Sequence, residues 1–264
     1  LILKGGECVM SSLFDLTGKV AIITGASSGI GTQLARAFAR EGADVAILAR
    51  RYEKLEELSK EIESMGRKVL PVKCDVTNEE NVKTAVKEVM DHFGKIDILV
   101  NNAGVAAEGA VDSTTEEEWD KVYNTNVKGV FFMTKHVAKV MIERKYGKIV
   151  NLASIYGITG SKTSPVHAYQ ASKGAIVNLT RGLAAYWGKF GITVNAVGPS
   201  LFETEMTKDG LFEEQNLRMY NALVPLGRPG KPGELDGAVI YFASDASSYT
   251  TGQTLFVDGG WTSV

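Results

Sequence analysis

The sequence predicts an α/β fold: a doubly wound, mainly parallel sheet of seven strands with helices on both faces. Three observations carry that expectation. Seven short runs rich in β-branched residues are apolar almost without interruption, as strands buried on both faces must be. Stretches with a helical apolar period lie between them. The two patterns alternate, and alternation of this kind builds right-handed crossovers into one parallel sheet.

The first run is KVAIITG (19–25), and the turn TGASSGIG leads from it into a helical stripe of Ile30, Leu34, Ala37 and Phe38 with Glu41 at its polar edge. DVAILA (44–49) and KVLPVKCDV (68–76) follow, then a helical pattern over 81–93 and the run IDILVNNAG (96–104). Helical spacing returns at 127–141 and 171–187, on either side of GKIVNLAS (147–154), and ITVNAVGP (192–199) and GQTLFVDGG (252–260) complete the set. No linker, low-complexity tract or repeat interrupts the series, so residues 11–264 are expected as one domain. The longest stretch without a strand is 200–230. Open α/β sheets bind ligands beyond the carboxyl ends of their strands, so this segment is expected as a lid over a pocket. Residues 1–10 read as a leader or an appended segment: the periodic pattern starts only at Leu13, Lys-Gly-Gly-Glu is what a purine-rich ribosome-binding stretch would encode, and Met10 is then the natural start.

Composition narrows the function. The chain has 264 residues, 44% hydrophobic, which suits one large α/β domain. A formal net charge of -2 leaves no electrostatic footprint for nucleic acid or an anionic membrane, and no apolar run approaches the ~20 residues of a membrane span. Cys8 and Cys74 form no CxxC, which points to a reduced, cytoplasmic protein. His92, His136 and His167 do not cluster with other ligands, so no metal site is expected.

Chemistry is written in two places. In HAYQASKGA (167–175), Tyr169 and Lys173 stand at i and i+4 on one helix face, so a phenol with an ordinary pKa of about 10 would have a cation beside it that favours phenolate. The turn after the first strand carries Gly25, Gly29 and Gly31, which allow close backbone approach, and it opens a helix whose N-terminal N–H groups suit a pyrophosphate. Its spacing, G-x-x-x-G-x-G, is neither the G-x-G-x-x-G of the long dinucleotide folds nor a Walker loop.

Together with NNAG (101–104), Asn126 in NTNVKG and Ser154 fifteen residues before Tyr169, these motifs resemble those of the short-chain dehydrogenase/reductases, in their compact single-domain branch with a Rossmann-type sheet. The resemblance covers 13–264. It implies Asn126, Ser154, Tyr169 and Lys173 as the catalytic set: Tyr169 as acid or base, Lys173 lowering its pKa with the help of the positive oxidised nicotinamide and bonding the nicotinamide ribose, Ser154 donating to the substrate oxygen, and Asn126 holding a water that links Lys173 to solvent. Ser154, Tyr156 and Tyr169 would touch substrate. The cofactor would lie on Gly25, Ser27, Ser28, Gly29, Ile30 and Gly31, on Arg50 and Arg51 after the second strand, and on Asp75 and Val76 after the third. Asn102, Ala103, Gly104, Tyr169, Lys173, Pro199, Ser200 and Thr204 complete its site. Ala49 stands where NAD-preferring members carry an acid, and Arg50 follows, so NADP(H) is expected over NAD(H), with NAD(H) possible.

Two departures from the family pattern are plain: Pro199-Ser200 replaces the usual Pro-Gly, and the interval from Ser154 to Tyr169 is about two residues longer than is common. The whole-chain pattern is most like gluconate 5-dehydrogenase-type enzymes, which implies a ketone and a secondary alcohol on a sugar acid or polyol. Lys162 in the long loop would meet the acid's carboxylate. The alternatives are a 3-oxoacyl-acyl-carrier-protein reductase, for which Arg144 and Lys145 would contribute a basic docking patch, and a broad carbonyl or hydroxysteroid reductase. A non-catalytic nucleotide-sensing protein is the rival from another class; it should lack the tyrosine or the lysine. The resemblance further implies a homotetramer or homodimer formed through helices over 115–143 and 167–190 and through the C-terminal segment.

Overall fold

Seven apolar runs become seven parallel strands in the computed structural model, which describes residues 2–4, 7–9, 13–161, 165–208 and 210–264. In chain order they are β1 (Val20–Thr24), β2 (Asp44–Ala49), β3 (Val69–Lys73), β4 (Ile98–Asn101), β5 (Gly147–Leu152), β6 (Ile192–Pro199) and β7 (Thr254–Val257). Their order across the sheet is β3-β2-β1-β4-β5-β6-β7, every neighbouring pair parallel. The chain winds outward from β1 to β3, then returns to β1's other side with β4. That reversal leaves a crevice at the carboxyl ends of β1 and β4, the place where doubly wound sheets bind ligands.

β1, β2, β4, β5 and β6 lack polar alternation because both faces are covered, while the edge strands β3 and β7 are only partly buried. Successive β1 residues point opposite ways: Ile23 joins Leu34 and Phe38 of α1 (Gly29–Arg40), Leu55 and Ile62 of α2 (Tyr52–Ser64) and Val239 of a late helix, while Ile22 joins the other face. There it meets Val82 and Val89 of α3 (Glu79–Phe93), and Met133, Val137 and Met141 further along. The Asn78 side chain caps α3 by accepting from Asn81 N at 3.1 Å, and Gly94 at φ +73° ends it.

α4 (Glu116–Tyr123) starts on a reciprocal capping box between Thr115 and Glu118. It runs into α5 (Gly129–Arg144) through a single π-helical turn, Asn124–Lys128. α6 (His167–Trp187) buries Ala168, Ser172, Ile176, Thr180 and Ala184, every fourth residue, with Lys173 and Val177 beside that stripe. α7 (Glu214–Leu223) lies within 200–230 and α8 (Asp236–Ala243) covers the α1 side. The helices α2, α7 and α8 carry no chemical motif and are not among the helical stretches named from the sequence. Residues 2–4 pair antiparallel with 7–9; Met10, Lys162 and the roles expected of them lie outside the described residues. No helix among the described residues is long and apolar enough to cross a membrane, and no His, Cys, Asp and Glu group there could hold a metal.

Phe38 is fully buried between α1 and the sheet. Phe38→Ala is expected to lower unfolding stability by about 3–5 kcal/mol, read as a fall in urea midpoint at constant slope.

Candidate active site

The floor of the crevice is bare backbone. A Cβ on Gly31 would stand 2.3 Å from the Gly25 carbonyl oxygen, and one on Gly25, where φ is +68°, 2.8 Å from Ala103 Cα. Only glycine fits at either position. Thr24, the last residue of β1, fastens the crossing: its Oγ1 accepts from Asn102 N and Ala103 N, both at 3.0 Å, and donates to Val100 O at 3.3 Å. The Asn102 side chain donates back to Thr24 O at 2.8 Å. The turn after β1 and the loop after β4 thus behave as one unit, and above them opens a cleft of about 540 Å³.

At one end of this cleft the expected catalytic residues converge. Ser154 is buried just after β5, and its Oγ accepts from Tyr156 N at 3.2 Å, which leaves the hydroxyl hydrogen free to donate. Ser154 lies close enough to the Tyr169 hydroxyl to favour its ionised form. The Tyr156 ring meets the Tyr169 ring edge-on at 6.4 Å. Lys173, one helical turn beyond Tyr169, is buried with its Nζ 5.5 Å from the Tyr169 ring centre, and it donates to Leu152 O at 2.7 Å.

Burial dominates the electrostatics. It pushes the Tyr169 phenol up to about 12, against the Ser154 hydroxyl that pulls it down. The same desolvation lowers the Lys173 ammonium to about 8. Lys173 is not among the groups that shift the phenol here: its Nζ is directed to the Leu152 carbonyl, and its own charge is disfavoured where it lies. Asn126, on the π-helical turn, is buried behind Gly104; its amide donates to Val105 O at 2.9 Å and Ser172 Oγ at 3.0 Å, and its Oδ1 accepts from Val105 N at 2.8 Å. Both its donors are committed to protein, so this side chain clamps the loop after β4 to α6 and has only acceptor capacity left for a water.

Every residue expected to hold the cofactor lines the cleft. Asp75 turns one carboxylate oxygen to its own loop, accepting from Thr77 N at 2.9 Å and Thr77 Oγ1 at 2.8 Å. Cys74 also reaches the cleft, as a buried free thiol that desolvation holds near 12. At the far end Arg51 donates to Ser28 Oγ at 2.8 Å and to Ser27 Oγ at 3.2 Å, while Arg50 forms no ion pair among the described residues.

The serine that departs from Pro-Gly has a function in the fold. Ser200 Oγ bonds the Tyr220 hydroxyl of α7 at 2.8 Å, and Tyr220 stacks on Trp261 at 5.3 Å. Phe202 and residues 204–207 line the cleft as well. Sequence reasoning did not single out Glu205, which lines the cleft, nor Lys54 and Tyr220, which bond cleft residues, because nothing in local periodicity reveals these contacts. Arg144 is engaged with Asp97 at 3.0 Å and with neighbouring backbone, so little of it is left for a docking patch.

A family model described as enoyl-(acyl carrier protein) reductase matches residues 25–262. The chain is 40% identical over 250 residues to the gluconate 5-dehydrogenase of Gluconobacter oxydans, covering 95% of this chain and 97% of that protein. It is 41% identical over 245 residues to the 3-oxoacyl-(acyl-carrier-protein) reductase of Thermotoga maritima, covering 93% of this chain and 98% of that one. The crystal structure of a gluconate 5-dehydrogenase from Burkholderia cenocepacia in complex with NADP and tartrate superposes with a TM-score of 0.91 at 38% identity, over 95% of this chain and 98% of that one.

With Lys173 at about 8 against an ordinary 10.5, the folded chain releases this proton before the unfolded chain does. The penalty of the buried charge is fully present below about pH 8 and is relieved as pH rises towards 10.5, so stability rises with pH across that window through this group. In an NMR titration the Lys173 side-chain resonance, identified by its loss in Lys173→Met, is expected to show a midpoint near 8.

Proposed function

The chain belongs to the short-chain dehydrogenase/reductase family, and from that membership we propose that it is an NADP(H)-dependent oxidoreductase interconverting a ketone and a secondary alcohol on a sugar acid or polyol. The observation that carries this reading is the convergence of Ser154, Tyr169 and Lys173 at one end of a cleft whose floor excludes side chains.

A dinucleotide fits the residues present. The N-terminus of α1 opens on the cleft at Gly29, Ile30 and Gly31 and offers its backbone N–H groups to a pyrophosphate, and Arg50 and Arg51 suit a 2′-phosphate where no carboxylate follows β2. Bound there, the nicotinamide supplies or accepts the hydride. Ser154, oriented by the Tyr156 N–H, donates to the carbonyl oxygen as negative charge gathers on it. Tyr169, kept protonated by burial, delivers its proton to that oxygen during reduction. In oxidation it must give up the proton first, so the nearby Lys173 charge and that of an oxidised nicotinamide have to act together. The retained Tyr169 and Lys173 argue against a purely nucleotide-sensing role.

The sugar-acid reading draws support from the gluconate 5-dehydrogenases among the relatives, and the commitment of Arg144 to Asp97 weakens the case for an acyl-carrier docking patch. The 3-oxoacyl reductase reading stays the second, on the 41% identity to such an enzyme. Residues 11–264 are read as one domain with a lid at 200–230. Dimer or tetramer assembly through α5 and α6 draws support from the exposed Phe131 and Tyr186 on those helices.

In a panel of keto-sugar acids, 3-oxoacyl thioesters, steroids and simple ketones, NADPH oxidation is expected to be fastest with the keto-sugar acids; fastest turnover of the thioesters would favour the second reading. Tyr169→Phe should lower kcat on the best substrate by about 10²–10⁴-fold with NADPH binding retained. Arg51→Ala should raise the KM for NADPH by about tenfold or more and leave that for NADH nearly unchanged, and a wild-type preference for NADH would overturn the cofactor assignment.

A further inference from the structure

One anion already lies across the cationic end of the cleft, and it belongs to the chain itself. The Glu205 carboxylate accepts from Arg51 Nη2 at 2.8 Å and from Lys54 Nζ at 2.9 Å. Arg51 in turn holds the hydroxyls of Ser27 and Ser28 on the glycine-rich turn, and Ser28 also favours the charged carboxylate. Glu205 therefore sits among the guanidinium, the ammonium and the hydroxyl that would surround a phosphate group on the adenosine ribose. These contacts hold its carboxyl near 2, so it is charged at every working pH.

The segment bearing Glu205 is attached at both sides of this contact. On one side Phe202 is buried and paired with Gly230, its ring filling the space that a Cβ on Gly230 would need. Beyond it, Thr207 Oγ1 donates to Phe202 O at 2.6 Å and accepts from Thr204 N at 2.9 Å, and Lys208 N donates to Thr204 O at 2.9 Å, so 202–208 is a turn that bonds to itself. Thr204 rests against Gly29 at the start of α1. Glu205 is half exposed, and its ion pairs are the polar contacts that tie the tip of this turn to the phosphate end.

We propose that Glu205 is a cofactor-specificity residue, an internal surrogate for the 2′-phosphate, which a 2′-phosphorylated adenosine displaces from Arg51 and Lys54 and whose displacement frees the tip of the lid. The inference rests on the NADP(H) reading above. A phosphate dianion carries more charge and more acceptor oxygens than a carboxylate and can also use the unpaired Arg50, so it wins the contest. A nucleotide with a free 2′-hydroxyl brings no charge to the contest, and Glu205 keeps its place. The lid tip would thus differ between the two nucleotide classes. The apparent affinity for the phosphorylated one is lowered by the fraction of time the carboxylate occupies the cations.

Two fragments test this without turnover: adenosine 2′,5′-bisphosphate and adenosine 5′-monophosphate, titrated calorimetrically into the wild type and Glu205→Gln. The variant is expected to bind the bisphosphate about tenfold more tightly and the monophosphate within about twofold of wild type. Hydrogen exchange of wild-type amides 203–208 should quicken with the bisphosphate and stay unchanged with the monophosphate. If the wild type prefers the bisphosphate but the variant shows no selective gain, or if exchange at 203–208 is indifferent to the fragment, the surrogate role is wrong while the NADP(H) reading stands. If the wild type binds both fragments alike, the cofactor reading itself fails and the proposal falls with it.

Discussion

The whole site is measured from a crossing of two backbones that has no room for a methyl group. The turn after β1 and the loop after β4 approach so closely that a side chain at Gly25 would collide with Ala103 and one at Gly31 with the Gly25 carbonyl and the Asn102 amide, and the Thr24 hydroxyl joins the two by three hydrogen bonds. This contact sets the floor of the cleft, and through Gly104 and Asn126 it also sets where α6 can lie. Ser154 and Pro199 arrive at the same level because β5 and β6 are the next strands in a register that runs unbroken across the sheet.

The two ends of the cleft handle charge in opposite ways. Lys173 is buried and donates to the Leu152 carbonyl, and desolvation weakens its hold on a proton. Arg50, Arg51 and Lys54 are exposed, where water screens them and ion pairs form and break cheaply. A buried ammonium next to a buried phenol is destabilising for the fold and useful for chemistry, since both groups respond strongly to any further charge brought beside them. An exposed cationic set suits recognition, since an anion can enter or leave without stranding a charge in apolar surroundings.

Much of this was legible in the sequence, for physical reasons that differ by element. The strands were readable because burial on both faces removes polar alternation, and the observed β2 and β6 span the same residues as the runs DVAILA and ITVNAVGP. The glycine turn, Ser154, Tyr169 and Lys173 were readable because their chemistry restricts residue type and spacing. Local pattern could not reveal contacts made across the fold. Glu205 meets Lys54 across 151 positions of chain, Ser200 meets Tyr220 through an irregular segment, and Tyr220 finds Trp261 from the far end of the sequence. Nor could spacing show how the Asn126 amide would be used, because its partners Val105 and Ser172 come from a loop and another helix.

The π-helical turn at Asn124–Lys128 has a consequence for how this chain tolerates change in length. A π turn is an α-helix carrying one surplus residue, so losing a single residue there would let α4 and α5 merge into a regular rod with better backbone geometry. That shortening would rotate one half against the other by about 100° and swing the Asn126 amide off the loop and α6 that it joins. A deletion favourable to the helix would thus unfasten the active-site wall, which makes this a spot where thermal robustness and competence pull apart.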